Sequence, residues 1–131
     1  MTILIKQQDG EWIVEKEFSM VSGCVRDIVF TEDGERIIAV GEGQQKASAI
    51  MMSTGNKVGD ILGALDEVYC CLVTPRPFHV VSAGLSKEIL LNPGVPFKGQ
   101  GTPITHDHSK GINKVSLSPD NTRFVTASLD K

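Results

Sequence analysis

The residues best suited to chemistry lie close together in the chain. His106-Asp107-His108 sets two imidazoles either side of a carboxylate, and Thr126 and Asp130 follow after two short apolar runs. Three chemistries use such groups. Two histidines one residue apart can begin a zinc site, but a site needs a third and fourth ligand. His79 is far off in the chain, and no further ligand is placed by spacing, so no metal is expected. A hydroxyl, an imidazole and a carboxylate can also form a nucleophilic triad. The chain has no Gly-x-Ser-x-Gly elbow, so no catalytic residue is expected either. The third possibility is structural: polar groups of these types can satisfy one another in the interior, which stabilises and does no chemistry. Gly41-Glu42-Gly43 resembles the start of a dinucleotide loop, but Lys46 stands at the third glycine and no helix pattern follows. No cofactor is expected. Cys24, Cys70 and Cys71 are odd in number and lack C-x-x-C spacing. Adjacent Cys70 and Cys71 point to opposite faces of a strand, which suits neither a disulfide nor a shared metal. All three are expected to be buried, reduced thiols.

The elements that position these groups recur. The run Val-Arg-Asp-Ile-Val-Phe ends at Phe30, Val-Tyr-Cys-Cys-Leu-Val at Val73 and Ile-Asn-Lys-Val-Ser-Leu at Leu117, spaced by 43 and 44 residues. Each is followed by a turn (Thr31-Glu32-Asp33-Gly34, Thr74-Pro75-Arg76-Pro77, Ser118-Pro119-Asp120-Asn121) and then by a second apolar run. Those second runs are residues 37–41, 80–84 and 124–128. Short, Val- and Ile-rich and bounded by Pro, Gly, Asp or Asn, all six read as strands. Residues 47–52, 57–62 and 88–91 supply further strands. Asp9-Gly10, between Ile3-Leu4-Ile5 and the run from Trp12 to Phe18, marks a hairpin. The Gly- and Pro-rich stretch 94–103 is expected to be an exposed connection on one rim. Four strands per unit at this period is the signature of a β-propeller, all-β, with four-stranded antiparallel blades. The divisions expected are 1–20 for the end of one blade, 21–63 and 64–107 for two full blades, and 108–131 for the start of another. About three blades cannot close a ring of the usual four to eight. The open blade edges are expected to promote self-association, and a truncated fragment without independent function is one reading of such a chain.

Composition narrows the function. Thirteen Lys and Arg against sixteen Asp and Glu give a net charge of −3, without the basic footprint of a nucleic-acid binder. The longest apolar run, Val68 to Val73, is far below the roughly twenty residues that cross a bilayer. The first residues lack a signal-peptide pattern. The expected setting is intracellular, away from nucleic acid and membrane.

Ser118-Pro119-Asp120 followed by Phe124-Val125-Thr126-Ala127-Ser128-Leu129-Asp130 is similar to the middle of a WD repeat. The resemblance implies that His108, Thr126 and Asp130 fill three slots of that family's structural tetrad. It also implies that Ser82 holds the hydroxyl slot of the preceding unit. The segments Val25-Arg26-Asp27-Ile28, Asp33 to Gly43, Ser53-Thr54-Gly55-Asn56, Pro75-Arg76-Pro77-Phe78 and Pro96-Phe97-Lys98 further resemble the actin-interacting protein 1 family. That resemblance implies a cytoplasmic, cytoskeletal, non-enzymatic scaffold that binds actin filaments and cofilin and promotes filament disassembly. It implies partner contacts at Glu42, Phe97 and Lys98, exposed on the rim. Gly99 and Gly111 stand where the family has aromatics, and Leu85 and Ser86 where it has acidic residues. Those departures favour a generic WD-repeat scaffold for another partner as the alternative.

Overall fold

A computed structural model of the chain describes residues 1–131 except Met20, Arg76, Val95, Pro96, Lys98, His106 and Lys131, with Thr105 described by its backbone alone. The described residues form twelve strands and no helix: β1 (Thr2–Lys6), β2 (Trp12–Glu17), β3 (Val25–Phe30), β4 (Arg36–Gly41), β5 (Ala47–Met51), β6 (Lys57–Asp60), β7 (Val68–Val73), β8 (His79–Gly84), β9 (Ile89–Pro93), β10 (Thr102–Thr105), β11 (Ile112–Leu117) and β12 (Phe124–Ser128). Each strand pairs antiparallel with its chain neighbour inside one of four sheets, β1-β2, β3-β4-β5-β6, β7-β8-β9-β10 and β11-β12. The architecture is an open run of propeller blades. Inner strands β3, β7 and β11 lie side by side, so each sheet packs face to face on the next.

Burial on two faces explains why the second strand of each full blade is an unbroken apolar run. Along β4, Ile37 and Ala39 turn toward the β1-β2 sheet and join Met1, Ile3 and Phe18. Ile38 and Val40 turn the other way and meet Val68, Cys71 and Val80 of the next blade. The same alternation along β7 and β8 sends Cys70, Leu72, Val81 and Ala83 toward Ile112 and Val115. Each fully buried Ile or Val contributes about 1.5–3 kcal/mol of transfer free energy, so these three layers dominate the stability.

The hairpins that join first and second strands share one device. The hydroxyls of Thr31, Thr74 and Ser118 accept the backbone N–H groups of Arg36, His79 and Arg123 at 3.1, 3.0 and 3.0 Å. A short hydroxyl side chain can satisfy a turn amide that has no ladder partner. Between blades, Asp27 of β3 forms a polar tie. Its Oδ2 accepts the N–H of Cys71, on the inner edge of β7, at 3.1 Å and lies 3.0 Å from Lys114 Nζ on β11. One carboxylate thus links three successive inner strands.

Two expectations need correction. The connection expected over 94–103 ends in strand β10, which pairs with β9 through Thr102 and Pro103. Proline is tolerated there because β10 is the sheet's edge, where its missing N–H removes no ladder bond. Cys24 is exposed, just ahead of β3, whereas Cys70 and Cys71 are buried on opposite faces of β7.

Candidate functional site

Two groupings carry polar side chains that sequence reasoning singled out. The first is the knot around His108. Its Nδ1 lies 3.1 and 3.2 Å from the two carboxylate oxygens of Asp130, and its Nε2 lies 2.8 Å from Thr126 Oγ1. A carboxylate at Nδ1 holds the proton there, leaving Nε2 to accept the threonine hydroxyl. Ser109 N–H donates to Asp130 Oδ2 at 2.6 Å. Burial works to raise the Asp130 pKa, but the bonds from Ser109, His108 and Ser128 outweigh it and hold the carboxyl below its ordinary value. Thr126 stands in mid-strand opposite Val115, and both imidazole nitrogens are engaged within the knot. The arrangement ties the segment before β11 to the turn after β12. The degenerate middle blade uses other bonds: Asn92 Nδ2 donates to the carbonyls of Leu62 at 2.6 Å and Gly99 at 3.3 Å. Among the described residues no cluster of three or more His, Cys, Asp or Glu is placed to hold a metal.

The second grouping is a rim. Arg26, Tyr69 and Asn113 occupy the second position of β3, β7 and β11, while Glu42, Leu85 and Leu129 each follow the last residue of β4, β8 and β12. Successive blades therefore present two parallel rows of side chains at one end of the sheets. Glu42 forms an ion pair with Arg26, whose guanidinium lies 5.8 Å from the centre of the Tyr69 ring. The hydrogen bond and charge of Glu42 raise the Arg26 pKa further, so the cation persists at any physiological pH. Arg26, Tyr69, Asn113 and Leu129 line an open cleft of about 420 Å³. Exposed Leu129 adds apolar surface to that cleft, and Leu85 is exposed at the matching position of the middle blade. A half-exposed Arg, an aromatic ring and a leucine within one shallow cleft have the composition of a protein-contact surface.

Of the expected contact residues, Glu42 is therefore on the rim, 25% exposed at its side chain. Phe97 is not exposed. It is 2% accessible and packs in the layer between the two full blades, with Gly59 of β6 lying so close beneath it that a methyl group there would meet Phe97 atoms at 2.5–2.7 Å. Burying the ring removes its apolar area from water, and the missing side chain at Gly59 lets the Phe97 backbone approach β6. Lys98 and His106 lie outside the described residues. Sequence reasoning passed over Arg26, Tyr69, Asn113 and Leu129, although the 43- and 44-residue offsets that located the strands also place them.

Four-stranded blades of this topology, repeating at this period, with a His–Thr–Asp knot in the β11-β12 unit, are those of a WD-repeat β-propeller. The profile of the family described as "WD domain, G-beta repeat" matches residues 101–131. Across nearly its whole length the chain is also similar to larger proteins. It is 32% identical over 133 residues to Actin-interacting protein 1-2 of Arabidopsis thaliana, covering 99% of this chain and 22% of that protein. It is 35% identical over 122 residues to Actin-interacting protein 1 of Drosophila melanogaster and 36% identical to WD repeat-containing protein 1 of Rattus norvegicus, covering 92% of this chain and 20% of each. The chain spans about a fifth of the length of the curated relatives it matches. The chain thus carries a WD repeat within propeller-like blades and is similar in sequence to part of proteins named for interacting with actin.

Proposed function

We propose that these blades are part of a non-enzymatic protein-interaction scaffold at the cytoskeleton, and that the Arg26–Glu42–Tyr69 rim contacts actin filaments carrying cofilin. The similarity to relatives named for interacting with actin is the observation that carries the reading. The rim supplies a physical route. A rigid row of side chains from successive blades touches two partners at once, and tighter binding to the cofilin-distorted filament shifts that filament toward disassembly. The pairing of Glu42 with Arg26 fixes both side chains before binding, which lowers the ordering cost at the interface. Co-sedimentation with filaments, with and without cofilin, tests this. The chain should pellet in a cofilin-dependent way, and Glu42→Lys should abolish that pelleting by setting a cation against Arg26. Equal recovery of both forms in the pellet removes Glu42 from the contact. The buried Phe97 and the apolar Leu85 and Leu129 favour a second reading, a WD-repeat scaffold for a different and more apolar partner. Capture of neither actin nor cofilin from solution by the immobilised chain would select it.

A further inference from the structure

The end of the blades opposite the Arg26–Glu42 rim carries a second cleft. The turn after β3 and the turn after β7 project there. Glu32 and Asp33 of the first turn and Pro75 and Phe78 of the second line an open cavity of about 480 Å³. Both turns belong to four-stranded sheets, and those sheets pack on one another through Ile38, Val40, Cys71 and Val80. The cleft therefore sits at a blade junction whose two sides are both present.

Its walls are held in place before anything enters. Asp33 Oδ1 accepts the Thr31 hydroxyl at 2.5 Å and the Glu35 N–H at 2.9 Å, and its Oδ2 pairs with Arg36 at 3.0 Å. The bonds from Thr31 and Glu35 hold the Asp33 carboxyl below its ordinary pKa, so it stays ionised. On the other side, the Phe78 carbonyl accepts the Gly94 N–H at 2.8 Å. Gly94 lies so close that a methyl group on it would meet Phe78 Cβ at 2.7 Å, and Phe78 itself is half-buried. Glu32 differs from Asp33. It is exposed, and among the described residues no hydrogen bond or ion pair engages its carboxylate.

An unpaired carboxylate beside an aromatic ring and a proline is the complement of a cation on an apolar stem. A guanidinium fits better than an ammonium, because it is planar, stacks on an aromatic face and binds a carboxylate through two N–H groups. A methylated ammonium needs a cage of aromatics, and Phe78 is the one ring among the described lining residues. None of those residues is cationic, so the carboxylate of free arginine finds no partner there. The arginine must come on a larger molecule. We propose that the cleft between the β3–β4 and β7–β8 turns docks an arginine-bearing segment of a partner protein, its guanidinium on Glu32 and its methylene stem along Pro75 and Phe78. The surface is separate from the Arg26–Glu42 rim, at the other end of the same strands, so a partner held here leaves the rim free.

Titration of the isotope-labelled 131-residue chain with an end-blocked peptide of glycine and leucine carrying one central arginine, followed by amide chemical shifts, tests the docking. Saturable shifts should concentrate on the two turns and weaken as salt rises. Replacing the peptide's arginine with citrulline, which keeps the shape and removes the charge, should abolish them. Glu32→Gln should weaken binding about threefold to fivefold, the worth of one exposed ion pair, and Phe78→Leu by about the same factor. Circular dichroism confirms that each variant folds. Glu17→Gln, equally exposed but at the end of β2, should bind as the unsubstituted chain does. Equal binding of the citrulline peptide, or undiminished binding by Glu32→Gln, overturns the proposal. So does equal weakening by Glu17→Gln, which would mean diffuse attraction to an acidic chain, and so does the lack of any saturable shift at millimolar peptide.

Discussion

Replacing Asp27 with alanine removes the carboxylate that joins three inner strands, and the structure sets the size of the effect. Cys71 is buried, so its N–H, which donates to Asp27 Oδ2 at 3.1 Å, is left without that acceptor. An orphaned buried amide costs about 1–3 kcal/mol. Lys114 contributes less, because its side chain is 62% exposed and such pairs are worth about 0–1 kcal/mol. Asp27→Ala should therefore destabilise by about 2–3 kcal/mol, and Lys114→Ala by at most about 1 kcal/mol. Asp27→Asn keeps an acceptor for Cys71 and should fall near the lysine variant. Once Asp27 is gone, Lys114 has lost its partner there, so the double variant should match Asp27→Ala alone. The bond to Asp27 raises the Lys114 pKa. The pair's contribution is thus complete below the ordinary lysine value of 10.5 and disappears as pH rises through the higher folded value. Urea unfolding followed by circular dichroism measures the four variants against the unsubstituted chain. If Asp27→Ala costs no more than Lys114→Ala, the buried amide is not what the carboxylate serves, and the reasoning fails.

Other consequences follow from burial and from the His108 knot. Burial pushes the Cys70 thiol up to about 11 and raises Cys71 further, so at mildly alkaline pH a thiol reagent should label Cys24 alone in the folded chain and all three in denaturant. Labelling of a second thiol without denaturant would contradict the packing of β7. Thr126→Val keeps the shape but deletes the hydroxyl bonded to His108, and should cost about 1 kcal/mol in the same urea assay. Asp130 has a lowered folded pKa, so its stabilisation is present above the ordinary carboxylate value and is lost as pH falls through the lowered one. Asp130→Asn should accordingly flatten the acid limb of the melting curve, and an unchanged limb would exclude the knot as its source. Phe97→Ala should cost about 3–5 kcal/mol, as expected for an emptied core site, whereas a rim contact would cost almost nothing in the isolated chain.

Much of the fold was legible because the period carries it. Strands ending at Phe30, Val73 and Leu117 could be located by their shared offsets, and β3, β7, β11 and β12 fall on the residues read from sequence. The fourth strand of the middle blade was not legible, since Thr102-Pro103 reads as a loop until the strand is known to be an edge. The site was less visible. Offsets place Arg26, Tyr69 and Asn113 on one rim, but only the folded chain shows that Glu42 pairs with Arg26 and that the Arg26 cation lies over the Tyr69 ring. Phe97 was misread for a physical reason. An aromatic flanked by Gly and Pro looks like an exposed loop anchor, and the backbone approach that seats it depends on Gly59, 38 positions away in the chain.

Fluorescence imaging of labelled chain on single actin filaments that carry patches of cofilin tests the central claim most directly, because decorated and bare stretches compete within one filament. The account predicts that the chain gathers on the cofilin-bearing stretches and that Glu42→Lys does not. Uniform coating of the filament, or binding to neither stretch, would contradict it.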